Sequence, residues 1–591
     1  MPPRVPGGAT ADWGAAGAHS TRRAVAASAS LCRPRCRFGR GWFRCGPGVG
    51  SAPVSFTCGS GAGPVSVRPP APSPSRPSPT ASPSLRHHCA PAGRACMGTV
   101  PLCHHGGMTD RLSATDAAFL YAEDAGSPMH VGGVVILGPE GPDGAEFQYT
   151  DIVDLIESRL SLVPRYRQKV RFVPGRLARP VWVDDEDFDL TYHVRRSALP
   201  KPGTAVELDE LVGRLISRPL DRTRPLWEVY VIEGLNGGRI ALVNKTHHAM
   251  ADRIGAVDVA AAIFDVNRRA RDLPDQPWIP NPAPSDVDLV VDAVADLTTR
   301  PSEVLDVVRF AAMDVRAAVT KVVSTAGSVL RVVWRTVNPA PRSLLNDARS
   351  GQRRFATLHA DLQDFKAVRR AHGGSVNDVI LTVIAGALRS WLLSRAEAVT
   401  AHTVVRAMVP VWVRPGAGDD SGAVASYLVD LPVAEPNPAM RLHQVSFAMG
   451  GHLESGRQVG ADALVELGRF APPTLHALGA RVASQLSRRM YNVLITNVPG
   501  PQVPLYAAGF PVEAMYPVAP LALGQALAVS CTSYNGGVYF GLTADRDAIP
   551  DVEEFAVLIT EAIDELLSTV PHKTGSSDGG SRPSGRSWTS S

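Results

Sequence analysis

Two periods of apolar and polar positions alternate along this chain. Period-two or unbroken apolar runs read as strands, and i, i+3, i+4 spacing reads as helix. A short capped helix is expected around Asp116, Phe119 and Leu120, followed by a strand over 128–137. Ile152, Leu155, Ile156 and Leu160 have helical spacing, as does 208–216. Residues 229–232 and 240–243 are apolar strands flanking a turn at Asn236-Gly237-Gly238. Helical spacing resumes at Ile254, Val257, Ala261 and Phe264. Further on, Ser375 is placed to cap a helix over 379–393. Strands are expected over 404–413, 427–433 and 493–498, the last ended by Pro499-Gly500-Pro501. Tyr534-Asn535-Gly536 is a hairpin signal between 526–533 and 537–543, and 552–567 is a closing helix.

Both halves therefore mix short strands with helices, without the regular βαβ alternation of a doubly wound sheet. The expected class is α+β, with two subdomains over 108–273 and 346–570. Between them Pro274, Pro277, Pro280, Pro282 and Pro284 mark a linker, and 287–337 is helical in pattern, so 274–345 reads as linker and crossover. The basic stretch Arg165-Tyr166-Arg167-Gln168-Lys169 reads as a solvated charge run.

Composition changes the picture at one place. Residues 1–107 carry twelve Arg, no Lys and a single acidic residue, Asp12, leaving 48 basic and 55 acidic residues in the remainder. The overall charge of +4 thus belongs to no folded unit, and nucleic acid is not an expected partner of the main body. Seven of the eight cysteines also precede Met108, irregularly spaced among Pro, Gly, Ser and Arg. Such sequence cannot bury enough apolar surface to offset its ordering entropy. The expectation is that residues 1–107 are a disordered extension upstream of a native start at Met108 or Met97, and that 571–591 is a disordered tail. Beyond Met108 only Cys531 remains, which fits a reducing compartment. No uninterrupted apolar run approaches the ~20 residues that span a bilayer.

Lys245-Thr246-His247-His248-Ala249-Met250-Ala251-Asp252 carries the candidate chemistry, two histidines where a strand gives way to a helix. A neutral imidazole takes a proton from an alcohol near neutral pH, and Asp252 is placed to orient a ring or hold the loop. Two plainer readings stand beside this one: Asp252 as an ordinary N-cap, and His248 as a satisfied core histidine. The spacing is not H-E-x-x-H, and no metal is expected; no Walker loop or G-x-G-x-x-G supports a nucleotide cofactor.

The stretch from His247 to Asp252 resembles the HHxxxDG signature of bacterial wax ester synthase/diacylglycerol acyltransferases, which condensation domains share. Similar too are Ser113 to Leu120, Pro128-Met129-His130-Val131-Gly132, Phe188-Asp189-Leu190 with Tyr192-His193-Val194, Pro225-Leu226-Trp227-Glu228, Val376-Asn377-Asp378-Val379 and Asn497-Val498-Pro499-Gly500-Pro501. The resemblance runs from about 108 to about 570. It implies two chloramphenicol-acetyltransferase-like subdomains with the active-site channel between them. It implies acyl-CoA as co-substrate without any other cofactor, diacylglycerol or a long-chain alcohol as acceptor, and no acyl-enzyme. His248 would be the base, with His247 beside it; Asp252 would support the loop, and Asn377 and Asp378 would line or brace the site from the other half. Lipid substrates imply a cytoplasmic protein peripheral to the inner face of the membrane or to lipid droplets. One position departs from the pattern: the motif Gly is Arg253 here. An Arg there can narrow the channel, pair with Asp252, contact CoA phosphates, or mark a lipid-binding paralogue with little or no activity. A condensation-type enzyme acting on carrier-bound acyl groups is disfavoured by the Pro-Leu-Trp and Asn-Asp stretches.

Overall fold

In the computed structural model, the described residues are 110–124, 126–251, 263–271, 273, 277–299, 339–413, 423–455 and 490–571. The extension before Met108, the tail, Asp252 and Arg253, and the part of the crossover over 300–338 lie outside them. The N-terminal half runs β1 (Asp110–Arg111), α1 (Ala114–Ala122), β2 (His130–Leu137), α2 (Tyr149–Arg159), β3 (Gln168–Arg171), β4 (Val181–Asp184), α3 (Leu190–His193), β5 (Val194–Ala198), α4 (Ala205–Ile216), β6 (Trp227–Glu233), β7 (Ile240–His247) and α5 (His248–Ala251). After α6 (Asp286–Thr299) come β8 (Arg353–Asp361), α7 (Leu362–His372), α8 (Val376–Ser394), β9 (Val405–Val413), β10 (Ala423–Leu431), α9 (Pro438–Ser455) and β11 (Val493–Pro499). β12 (Tyr506–Ala507), β13 (Phe510–Val518), β14 (Leu527–Tyr534), β15 (Gly537–Asp545) and α10 (Val552–Ser568) close the chain. This is the α+β class the pattern predicts.

Two six-stranded sheets carry the cores. One has the order β12-β13-β2-β7-β6-β5, the other β10-β9-β11-β14-β15-β8. Both faces of the first sheet are covered, which is why β6 is apolar almost throughout. Ile240 and Leu242 pack with α1 and α2, while Ala241 and Val243 face α4. In the second, α8 and α10 lie on Val405, Ala407, Val529 and Phe540. The capping signals hold: Ser375 and Asp378 form a capping box at α8, Thr204 and Glu207 another at α4. Asn535 and Gly536, with φ of 43° and 89°, make the hairpin turn between β14 and β15.

Three features depart from the linear reading. First, β12 and β13 lie beyond residue 346 yet join the N-terminal sheet, β13 running antiparallel to β2 with a bulge between Val512 and Ala514. The sheets meet where Ser530 Oγ donates to Pro517 O at 3.1 Å; a Cβ at Gly541 would stand 1.9 Å from that oxygen. Second, the described part of the proline stretch lies on the N-terminal half: Asn281 donates to Asp184 Oδ2 (2.9 and 2.8 Å), and α6 buries Leu289 and Ala293 against Val173, Val181 and Val183. The basic run 165–169 is accordingly not a free solvated face. Arg165 stacks on Trp182 and pairs with Asp110, Arg167 covers Trp278, and Lys169 pairs with Asp185. Third, α8 is long and apolar enough to cross a membrane, with a mean hydropathy of 1.5 in its most apolar window. It is a core helix, buried from Asp378 through Leu388 and packed in the second sheet's cluster.

Candidate functional site

β2 and β7 pair antiparallel in a register that sets His130 directly opposite His247. The strand alternation ends there, and His248 opens the single turn α5. The two adjacent histidines consequently meet different surroundings. His247 is fully buried; its Nδ1 accepts the Ala249 N–H at 3.0 Å. A backbone amide can only donate, so Nδ1 carries the lone pair and the proton sits on Nε2. Nε2 lies 3.4 Å from Glu123 Oε2. His248 is half-buried, its N–H bound to Met129 O at 2.9 Å and its ring stacked on Phe119 with centroids 3.9 Å apart and planes inclined by 25°.

Glu123, at the C-cap of α1, is the centre of this cluster. Oε1 accepts from Met129 N at 3.2 Å and lies 3.4 Å from His130 Nε2; Oε2 accepts from Arg222 Nε at 3.1 Å and from Arg222 Nη2. Burial pushes the carboxyl pKa up, but the nearby His130, His247 and Arg222 outweigh it and hold the group well below the usual carboxylate range. His130 goes the other way. Its burial, aided by the Lys245 charge and opposed by Glu123, brings it down to about 4, so it is neutral at pH 7.

The strand that delivers the histidines is braced on both sides. Buried Lys245 donates to Arg218 O (2.6 Å) and Leu215 O (3.2 Å) at the end of α4, where a cation satisfies orphan carbonyls. Glu228 opposite it takes Arg195 (3.0 Å) and the Tyr230 hydroxyl (2.9 Å). His193 stacks on Trp227 and its Nδ1 is 2.7 Å from Trp227 O, while the Trp227 indole N–H donates to Tyr166 O at 2.7 Å. The Tyr-His-Val and Pro-Leu-Trp stretches thus brace each other.

On the second half, Asp378 is built into the start of α8. Its carboxylate accepts from Ser375 N (2.8 Å) and Ser446 Oγ (3.2 Å) at the start of α8. Asn377 Oδ1 accepts from Asn497 Nδ2 at 3.0 Å, joining the Asn-Asp and Asn-Val-Pro-Gly-Pro stretches. Glu123, His130, Arg222 and Phe119 are site residues that spacing alone does not single out. The available signal is the Met129-His130 pair within the predicted strand, but its meaning depends on the β2–β7 register. The roles expected of Asp252 and Arg253 fall on residues outside those described. Among the described residues no group of three His, Cys, Asp or Glu is arranged to hold a metal ion.

Comparison with known proteins identifies the family. Residues 112–380 match the family described as wax ester synthase/diacylglycerol acyltransferase catalytic domain, and 422–567 match the WS/DGAT C-terminal domain. The chain is 33% identical over 477 residues to a protein named probable diacylglycerol O-acyltransferase tgs2 from Mycobacterium tuberculosis, covering 78% of this chain and 99% of the relative. It is 32% identical over 469 residues to another named probable diacylglycerol O-acyltransferase tgs1 from the same species, covering 78% and 96%. The solved wax ester synthase/diacylglycerol acyltransferase from Marinobacter aquaeolei VT8 superposes with a TM-score of 0.56 at 30% identity, over 77% of this chain and 98% of that one.

Proposed function

The chain belongs to the wax ester synthase/diacylglycerol acyltransferase family, and from that footing we propose that it moves a long-chain acyl group from acyl-CoA to the hydroxyl of a diacylglycerol, giving triacylglycerol, with long-chain alcohols as a second acceptor class. The carrying observation is the division between the two histidines. His247 is buried, and both ring nitrogens face fixed partners, Ala249 N–H and the Glu123 carboxylate. His248 opens the next turn, half-buried, with its N–H on Met129 O and its ring on Phe119, and we assign it the part of the base.

Neutral His248 accepts the acceptor's hydroxyl proton as the oxygen attacks the thioester carbonyl. The tetrahedral intermediate collapses, the C–S bond breaks, and the histidinium returns its proton to the CoA thiolate. Atoms and charges balance without an acyl-enzyme, and the acyl-CoA is the co-substrate with no further cofactor. Asp378 and Asn377 act in this reading through α8 and β11, as bracing of the opposite wall.

The test is turnover of labelled palmitoyl-CoA with diacylglycerol or hexadecanol by the full chain and by His248→Ala. A loss of about 10²-fold or more is expected on removing a general base. Equal rates would refute the assignment. Arg253 in place of the motif Gly favours one second reading, a lipid-binding protein without turnover; inactivity of both proteins, with acyl-CoA still bound, would favour it. We further propose contact with an uncharged lipid surface through α6, where Val287, Val291 and Val294 form an exposed stripe among Asp286, Asp288 and Asp292. Those acids oppose an anionic membrane and leave a neutral droplet or zwitterionic bilayer as the fitting partner.

A further inference from the structure

We propose that Glu123 is the positioning residue of the double histidine: its carboxylate selects the tautomer of His247 and, through that ring and the Met129 backbone, sets where His248 stands. The proposal rests on His248 being the working histidine.

Three features of the cluster carry this, the first being the groups that meet the carboxylate. Met129 N and two Arg222 nitrogens donate to its two oxygens, and His130 Nε2 and His247 Nε2 stand 3.4 Å from them, close enough to pair but outside hydrogen-bond geometry. Only an acceptor-only side chain satisfies such a set. Glu123→Gln would turn an NH₂ group toward a donor whichever way the amide was flipped.

The second is a relay through His247. With Nε2–H facing the carboxylate, Nδ1 is left to accept the Ala249 N–H. Ala249 follows His248 in the same turn, so this bond seats the turn that carries His248. The other tautomer would bring Nδ1–H against Ala249 N–H and push that turn away. The third is a direct path. Met129 gives its N–H to Glu123 and receives the His248 N–H on its carbonyl. Both paths end on the backbone of the turn that His248 opens. Arg222 neutralises the carboxylate and also donates to Leu120 O at 3.1 Å, tying the cluster back to α1, whose Phe119 carries the His248 ring. Glu123 itself touches no reacting atom.

Selective ¹⁵N-histidine labelling of the full chain, with NMR at pH 7, reads the tautomer directly and needs no turnover. The expected result in the wild type is His247 wholly in the Nε2–H form, its resonance assigned by its loss in His247→Asn. In Glu123→Gln the signal should become a mixture or the Nδ1–H form, with kcat lower by about ten- to a hundredfold, as for a misplaced catalytic group, and KM for acyl-CoA within about twofold. Glu123→Asp, which keeps an acceptor-only group, should recover part of kcat. An asparagine side chain has no ring tautomer to choose, so Glu123→Gln should cost less than half as much, in log kcat, on the His247→Asn background. An Nδ1–H or doubly protonated His247 in the wild type overturns the proposal without any variant. So does a Glu123→Gln protein with the wild-type tautomer and wild-type kcat. A negative His248→Ala result would remove the catalytic reading while leaving the tautomer result standing, so the two failures are distinguishable.

Discussion

Asp209 gives the chain a pH dependence that one substitution should remove. It lies on α4, buried against β8 of the other half, where its carboxylate accepts Thr357 N–H at 3.0 Å and the Thr357 hydroxyl at 3.1 and 3.2 Å. Burial pushes its pKa up to about 7, against the two Thr357 hydrogen bonds and with help from Glu553. In the unfolded chain an Asp titrates near ~3.9. Between about pH 4 and 7 the folded protein therefore holds a proton that the unfolded chain has lost. The sign follows: stability from this site is fully present below about pH 4, declines as pH rises through 7, and is level above that. Three pH units at about 1.4 kcal/mol each make the decline about 4 kcal/mol.

Asp209→Asn mimics the protonated form at every pH. Its carbonyl oxygen can accept the Thr357 N–H, and its amide can donate to the Thr357 hydroxyl. The variant should match the wild type near pH 4 and exceed it by up to about 4 kcal/mol at pH 8. The assay is urea unfolding of both full chains from about pH 4.5 to 8, comparing midpoints of the same transition. The difference between the two proteins is the quantity to read, because Glu123 and other carboxylates held low lose stability as pH falls and shape both curves alike. A constant difference across that range, or a variant weaker than wild type at pH 8, would refute the reasoning.

Two smaller predictions concern the site and the surface. Phe119→Leu keeps apolar bulk but removes the ring beneath His248; a stacked aromatic pair is worth about 0.5–1.5 kcal/mol, so kcat/KM should fall about two- to tenfold, and an unchanged value in steady-state assays would dismiss the stacking role. Replacing Val287, Val291 and Val294 together by Ser should abolish flotation of the protein with phosphatidylcholine-coated triacylglycerol emulsions; co-flotation equal to wild type would rule out α6 as the lipid contact.

The contrast between local and non-local information explains what sequence alone could reach. Ser375 with Asp378, and Asn535 with Gly536, are visible because a cap and a two-residue turn are settled within four residues. The β6–β7 hairpin and the end of β7 at the two histidines are visible for the same reason. β13 is not assignable to a sheet by pattern, because its alternation suits any edge; its place beside β2 depends on Val518 packing with Phe355 and on the close approach of Pro517 to Gly541. The length of α8 suits a membrane as well as a core, and only its neighbours decide. Asp378 is expected to line or brace the site because it belongs to a motif, but the same carboxylate three residues after Ser375 is also what a helix start requires. Glu123 escapes notice because a Glu after a short helix carries no signal until β2 is laid against β7.

The alternation of β7 also accounts for why a histidine doublet, and not one histidine, marks the junction. Even-numbered positions up to Leu242 face the core under α1 and α2; odd-numbered Lys245 and His247 point to the polar cluster on the other side. Two neighbours on a strand cannot share a face. His247 completes the buried side and is committed to Glu123 and Ala249, while the turn at His248 takes the next ring off the strand and onto Phe119. The first histidine thus works by being fixed, since its fixed ring is what the turn carrying the second one rests on. If His248 is the base as proposed, substituting His247 removes a support and leaves that base in the chain, so the loss of kcat should be smaller than that of His248→Ala in the same palmitoyl-CoA assay.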